Sequence, residues 1–120
     1  MSWHVGELPA AQKFAIKNLA AFPAKIDAVI TNAAGCGSGI HEYPLILKGT
    51  KAEPAAVAFA ERTSDITVFL QKLGNLTPIP ALDKPLRIAY HDACHLANAQ
   101  GVTAPPRDLL RAIPGVEVVE

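Results

Sequence analysis

The chain has 120 residues, of which 50% are hydrophobic and 18% are charged. This composition suits about one folded domain and excludes an intrinsically disordered chain. The 11 basic and 11 acidic residues cancel, so the sequence predicts no contact with nucleic acid or with an anionic membrane surface.

Cysteine usage and the apolar runs indicate where the protein resides. Two cysteines, Cys36 and Cys94, are too few for a secreted disulfide scaffold. Residues 1–8 contain no readable secretory signal, and no apolar run is long enough to span a bilayer. The sequence therefore predicts a reducing, cytoplasmic setting. Both ends read as cut, since the last residues resemble an interrupted strand, and we interpret the chain as a piece of a longer protein.

The first elements in chain order are a helix, a strand and a glycine-rich loop. Pro9 suits the first turn of a helix, and Pro23 ends it. Residues 27–31 contain a short apolar run, typical of a parallel strand that is covered on both faces. The following sequence, N-A-A-G-C-G-S-G, predicts a tight loop that presents the thiol of Cys36.

Three helices and a connector follow. Short helices are predicted over 40–47 and 54–60, and a longer pattern predicts a helix over 66–73. The side chains of residues 63–65 can cap that helix, and Gly74 is placed to end it. Residues 75–85 contain three prolines and are predicted to form a connector.

The second half begins and ends with a strand. Residues 86–90 form an apolar run that leads into His91-Asp92-Ala93-Cys94-His95. A short helix is predicted over 94–100, a further helix from Pro105, and a last strand over 116–119. Helices alternating with short apolar strands predict an α/β fold with a short, mostly parallel sheet flanked by helices.

Each cysteine follows a predicted strand. Ligands collect at the carboxyl ends of strands in open parallel sheets, so Cys36 and Cys94 are expected to face one cleft. The plain alternative is that each is a small buried residue, because free cysteine is among the most buried residue types.

The glycines around Cys36 allow two interpretations. A dinucleotide-binding fingerprint requires glycine where Ile40 stands, so the segment is more typical of a common turn. Gly35 and Gly37 would let backbone N–H groups approach a thiolate sulfur as well as a phosphate.

The densest set of candidate ligands is His91, Cys94 and His95. A c-type haem site would need cysteine in place of His91, and a zinc site that adds Cys36 matches none of the common spacings. Cys94 could be a nucleophile with His91 or His95 as its base. If the segment is extended, Cys94 and His95 point in different directions, and the histidines could simply bond backbone near a strand end.

Several motifs together carry a family resemblance. These motifs are W-H-V-G-E, N-A-A-G-C-G, H-E-Y, Y-H-D-A-C-H-L-A-N-A-Q-G-V and P-P-R-D-L-L-R-A-I-P-G-V-E. Together they resemble the iron–sulfur subunits of glycolate oxidase (glycolate dehydrogenase). More widely, the chain is similar to the duplicated cysteine-rich CCG domains. The resemblance covers nearly all of the chain. It implies that residues 1–78 are the end of a first repeat and residues 79–120 the start of a second. The Cys-Cys-Gly motif that each repeat carries in the family is absent from the sequence.

The resemblance also implies a role. Electrons from a flavin-bearing subunit that oxidises a 2-hydroxy acid, glycolate to glyoxylate, would pass through iron–sulfur clusters such as [4Fe–4S] to an acceptor. Cys36 and Cys94 would be thiolate ligands or neighbours of the cluster site. The groups expected around the cluster, where they would tune its potential, are Gly35, Gly37, His91 and His95.

A cluster takes four thiolates as a rule, so two cysteines predict no complete cluster in this chain alone. The resemblance places the complex in the cytoplasm or at the inner membrane surface. The alternatives are a structural or subunit-docking domain without a metal site, and a zinc-binding module. The strand at 116–119 could also make the isolated chain a homodimer.

Overall fold

The structure, a computed structural model, describes residues 2–23 and 25–119. The chain forms two compact units, Met1–Ser64 and Asp65–Glu120. The helices are α1 (Leu8–Ala21), α2 (Ala34–His41), α3 (Tyr43–Ile46), α4 (Glu53–Glu61), α5 (Ile66–Leu73) and α6 (Ala104–Arg111). The strands are β1 (Val29–Thr31), β2 (Thr63–Asp65), β3 (Leu86–Ala89) and β4 (Val116–Val119). A 3₁₀ turn (Trp3–Val5) and a π-helical turn (His95–Ala99) complete the set.

These elements confirm the predicted α/β fold of short strands flanked by helices. The strands lie in two sheets of two, β1 with β2 and β3 with β4. Among the described residues, no helix combines the length and the apolar character needed to cross a membrane. The division of the chain into two sequence repeats, 1–78 and 79–120, stays a prediction.

Helix α1 covers the core of the first unit with small side chains. Pro9 lies in its first turn, as predicted, and the helix ends at Ala21, ahead of Pro23. Ala11 and Ala15 are buried on its inner face, where they let α1 pack against α3 and α4. The core comprises Ala11, Ala15, Val29, Tyr43, Ile46, Leu47, Ala56 and Phe59.

Aromatic rings and two side-chain amides fix the helices of this unit around Phe59. The ring of Phe59 contacts those of Phe22 and Tyr43, with centroids 5.0 and 6.3 Å away. Asn18 of α1 donates a hydrogen bond to the Tyr43 hydroxyl at 2.6 Å, and Gln12 donates to the Ile46 carbonyl at 3.0 Å. Pairing these polar groups avoids the cost of burying them unsatisfied.

The glycine-rich segment forms α2, so the predicted tight loop is wrong. The Gly37 N–H donates to the Ala33 carbonyl at 3.0 Å, and the Ser38 hydroxyl donates to the Ala34 carbonyl at 3.0 Å. Gly37 and Ser38 are buried, and α2 packs against α3, α4 and β1. Tertiary packing of these small residues therefore outweighs the low helix propensity of glycine.

Strand β1 is covered on one side only, which corrects the prediction of a strand buried on both faces. Val29 is 5% exposed, whereas Ile30 is 45% exposed. The Val29 N–H donates to the Arg62 carbonyl at 2.9 Å, next to β2. Strand β2 was not predicted, because its sequence T-S-D has no apolar residue.

The second unit contains the parallel pair that the sequence predicts. Strands β3 and β4 pair in parallel, from Leu86 opposite Val116 to Ala89 opposite Val119. Helix α6 packs against β4 and against α5. The connection from β3 to β4 thus passes through the π-helical turn and α6.

Helix α5 occupies the predicted range. At its start, the Asp65 carboxylate accepts a hydrogen bond from the Thr67 N–H at 2.8 Å, which confirms a capping residue among 63–65. At its end, Gly74 has a φ of 72°, a conformation that glycine adopts at low cost. Residues 75–85 contain no helix or strand, as predicted for the connector.

Candidate functional site

Cys36 lies in the first turn of α2, shortly after β1 ends. Its side chain is exposed and its thiol is free of any disulfide. The amides of Gly35 and Cys36 belong to the first turn, where backbone N–H groups have no acceptor within the helix. The interpretation of Cys36 as a buried small residue is therefore wrong.

Cys94 occupies the matching position in the second unit. It follows β3 by a loop of residues 90–93, which we call the Cys94 loop, and directly precedes the π-helical turn. Its thiol is exposed and free of any disulfide. Each cysteine thus follows a strand closely, Cys36 inside the first turn of the next helix and Cys94 just before the next helical turn, although each belongs to a different unit. The predicted shared cleft stays a prediction.

Cys94 and His95 lie side by side. The Cys94 sulfur is 3.3 Å from Nδ1 of His95. The expectation that the two side chains diverge assumed an extended segment, but Cys94 has helical backbone angles, φ −53° and ψ −40°. A thiol and an imidazole are thereby brought within hydrogen-bond distance.

A partly buried arginine holds the Cys94 loop. Arg107 of α6 donates from Nη1 to Oδ1 of Asp92 at 2.8 Å and from Nη2 to Oδ2 at 2.9 Å. Its guanidinium carbon lies 4.7 Å from the centroid of the Tyr90 ring. Nη1 also donates to the Thr103 carbonyl at 2.9 Å. The loop that leads to Cys94 is therefore attached to α6.

The charge state of Asp92 follows from this contact. The hydrogen bonds from Arg107 are the main reason that the pKa of Asp92 lies below its usual value. Desolvation acts in the opposite direction, and the positive charges of Arg107 and His91 lower the pKa further. Asp92 is therefore a carboxylate at neutral pH, which the paired guanidinium requires.

The other predicted site residues lie beside the cysteines in sequence. Gly35 is exposed and Gly37 is buried, with its N–H bonded within α2. His91 is exposed in the Cys94 loop. His95 contacts Cys94, so the structure brings together one thiol and one imidazole of the predicted set.

The residues present do not form a complete cluster site. Within 2–23 and 25–119, no three side chains of histidine, cysteine, aspartate or glutamate are grouped so that they could hold a metal ion. The chain offers two thiols, whereas a cluster takes four thiolates as a rule. Both thiols are exposed.

Two contacts were not predicted from the sequence. Asp92 and Arg107 are 15 residues apart, beyond any spacing rule within one helix or strand. The only available signal was an acid just after a strand and an arginine near the start of the next helix. In the first unit, Nε2 of His4 lies 2.9 Å from Oε2 of Glu42, a residue 38 positions away in the sequence.

Comparison with known proteins supports the resemblance. The family model of the cysteine-rich domain CCG matches residues 88–120. The chain is 39% identical to the probable glycolate oxidase iron–sulfur subunit of Bacillus subtilis (strain 168), over 98% of this chain and 27% of that protein. It is 30% identical to lactate utilization protein A of Geobacillus sp. (strain WCH70), over 98% of this chain and 48% of that protein.

A third relative is a subunit of the fumarate reductase (CoM/CoB) of Methanothermobacter marburgensis, 35% identical over 78% of this chain and 17% of that protein. The chain spans less than half the length of each of these relatives. No solved structure matches it. The resemblance is therefore confirmed: residues 88–120 match the CCG cysteine-rich domain, and 98% of the chain is similar to a probable glycolate oxidase iron–sulfur subunit.

Proposed function

We propose that this chain is part of the iron–sulfur electron-transfer subunit of a glycolate-oxidase-type complex. The complex would oxidise a 2-hydroxy acid, glycolate to glyoxylate, on a flavin-containing subunit. The chain would help to carry the electrons from that flavin to an acceptor and would not contact glycolate itself. We place the complex in the cytoplasm, at the surface of the inner membrane.

One observation carries the proposal. In a chain similar over 98% of its length to a probable glycolate oxidase iron–sulfur subunit, both cysteines are exposed and free of disulfides, and each lies shortly after the end of a strand. A structural cysteine would be expected in the core. Exposure leaves each thiol accessible to a metal ion.

Each predicted residue has a role in this proposal. Cys36 and Cys94 bind iron as thiolates, together with cysteines that other parts of the subunit supply. His91 and His95, beside Cys94, and the amides at Gly35 and Gly37 lie around the metal ligands, where hydrogen bonds to sulfur adjust a reduction potential. An iron–sulfur cluster, when bound, accepts and releases one electron at a time.

The structure of α2 limits one of these roles. The Gly37 N–H already bonds the Ala33 carbonyl, so it would have to leave that bond to reach a sulfur. The amides of Gly35 and Cys36 in the first turn are better placed for such a contact. We therefore assign Gly37 the packing of α2, where its lack of a side chain is used.

Anaerobic reconstitution tests the ligand roles. The full-length subunit that contains this sequence is treated with ferrous iron and sulfide, as wild type and as Cys36→Ser and Cys94→Ser. We expect each substitution to remove the visible absorption and the paramagnetic signal of one cluster. The control is Lys72→Ser, an exposed change at the end of α5, which should leave both signals unchanged.

Two results would contradict the proposal. A cluster that forms fully in both cysteine variants would favour a structural or subunit-docking domain. Zinc bound to the 120-residue chain at one ion per chain, and lost in Cys94→Ser, would favour a zinc-binding module. Both measurements are independent of enzymatic activity.

A further inference from the structure

We propose that Arg107 is the positioning residue for Cys94: it fixes the Cys94 loop on α6 and so sets where the thiol lies. The proposal rests on the proposed function only in assuming that Cys94 binds iron. The positioning itself follows from contacts within the second unit.

The first step is the contact with Asp92. Two parallel N–H···O bonds, at 2.8 and 2.9 Å, fix both the distance and the plane of the carboxylate, which a single bond would not. The Arg107 side chain is 15% exposed and that of Asp92 is 37% exposed, so the guanidinium side of the pair is the better shielded from water. A lysine cannot reproduce this planar fork.

The second step is the contact with Tyr90. The guanidinium lies over that ring at 4.7 Å, within the range of a cation–π interaction. Tyr90 is also held by its N–H, which donates to the Val119 carbonyl at 3.1 Å. Arg107 thus contacts the loop on both sides of His91, at Tyr90 and at Asp92.

The third step is that the helix which carries Arg107 is itself held in place. Its guanidinium also donates to the Thr103 carbonyl of its own helix start. Helix α6 is joined to α5 by a hydrogen bond from Gln71 to Asp108 at 3.0 Å, and it packs against β4. The loop is therefore attached to helices and strands that are held independently of it.

The last step connects the loop to the thiol. The Ala93 carbonyl accepts hydrogen bonds from the Leu96 N–H at 2.8 Å and from the Ala97 N–H at 3.0 Å. Ala93, the residue after Asp92, thus begins the turn on which Cys94 lies. We therefore expect a movement of Asp92 to change these two bonds and the place of the thiol.

Hydrogen exchange of the 120-residue chain tests the positioning without any metal. In Arg107→Ala we expect the Leu96 and Ala97 amides to exchange about tenfold faster, with a smaller increase in Arg107→Lys. The control is Arg87→Ala, which breaks another ion pair of the same unit, Arg87 Nε to Glu117 Oε2 at 3.1 Å. Its side chains are 72% and 62% exposed, and the same amides should change less than about twofold.

Circular dichroism checks that each variant is folded, and Asp92→Asn replaces Arg107→Ala if that variant unfolds. Unchanged exchange at Leu96 and Ala97 in the folded variants would overturn the proposal. So would an equal increase in Arg87→Ala, because the effect would then be general to the unit.

A second readout separates this proposal from the ligand role of Cys94. In the full-length subunit reconstituted with iron and sulfide, Arg107→Lys should shift the paramagnetic spectrum of the cluster, while Cys94→Ser removes it. If Cys94→Ser leaves the cluster intact but Arg107→Ala accelerates exchange, the ligand role fails and the positioning stands. If Cys94→Ser removes the cluster and Arg107 variants change neither readout, the positioning fails alone.

Discussion

The helical state of the glycine-rich segment gives a sharp test, because a loop and a helix respond oppositely to alanine. Gly35 and Gly39 lie in α2 with ordinary backbone angles, and a methyl group added to either would meet nothing within 4 Å. Gly39 is in the body of the helix, so Gly39→Ala should raise the free energy of unfolding by about 1 kcal/mol. Gly35 is in the first turn, where we expect about 0.5 kcal/mol.

The matched control is Gly49→Ala in the same unit. A methyl group there also meets nothing within 4 Å, but Gly49 has a φ of 75°. The left-handed conformation costs a non-glycine residue about 1–2 kcal/mol, so this variant should be destabilised. The three substitutions thus add the same group in open space and differ in backbone conformation.

Urea denaturation followed by circular dichroism measures the three variants. With an m-value of about 2 kcal/mol/M, Gly39→Ala should raise the midpoint by roughly 0.5 M, and Gly49→Ala should lower it by at least as much. If Gly39→Ala lowers the midpoint as Gly49→Ala does, the segment is not helical and the loop predicted from sequence is right. Equal and negligible shifts in all three would also refute the argument.

Three further predictions follow from burial, capping and thiol exposure. Leu47→Ala should cost about 2–5 kcal/mol of unfolding free energy, because Leu47 is 0% exposed. Leu45 is 58% exposed, so Leu45→Ala should be nearly neutral. Equal losses in urea denaturation would contradict this. Asp65→Ala should lower the free energy of unfolding by about 1 kcal/mol, because the helix cap is lost, and Asp65→Asn should lower it much less. If both variants lose the same stability, the cap is not the cause. Both Cys36 and Cys94 are exposed, so a disulfide reagent should titrate two thiols in the folded chain, and a thiol that reacts only in denaturant would contradict the described site.

The elements that the sequence predicted well are those bounded by proline, glycine or a capping side chain. Helix α5 begins after a capping aspartate and ends at Gly74, and both signals act locally. The strands β3 and β4 were visible as short apolar runs, and their parallel pairing followed from the helix between them. Local chemistry was sufficient in these cases.

The elements that were missed depend on contacts between distant residues. Three glycines around Cys36 indicate a turn, yet packing of α2 against α3 and α4 selects a helix. Strand β2 has no apolar residue and is recognised only through its pairing with β1. Likewise, nothing local connects Asp92 with Arg107, which meet only because α6 returns along β3 and β4.

The parallel pairing of β3 with β4 has a consequence for when this part of the chain can fold during synthesis. Leu86 pairs with Val116, so a connection of about 30 residues must close before the strands meet, at an entropic cost that grows with its length. Cys94 and Arg107 both lie inside this connection. On the ribosome, the thiol can reach its final place only after β4 has emerged, so any metal acquired at Cys94 in this geometry is acquired after synthesis has passed Val119.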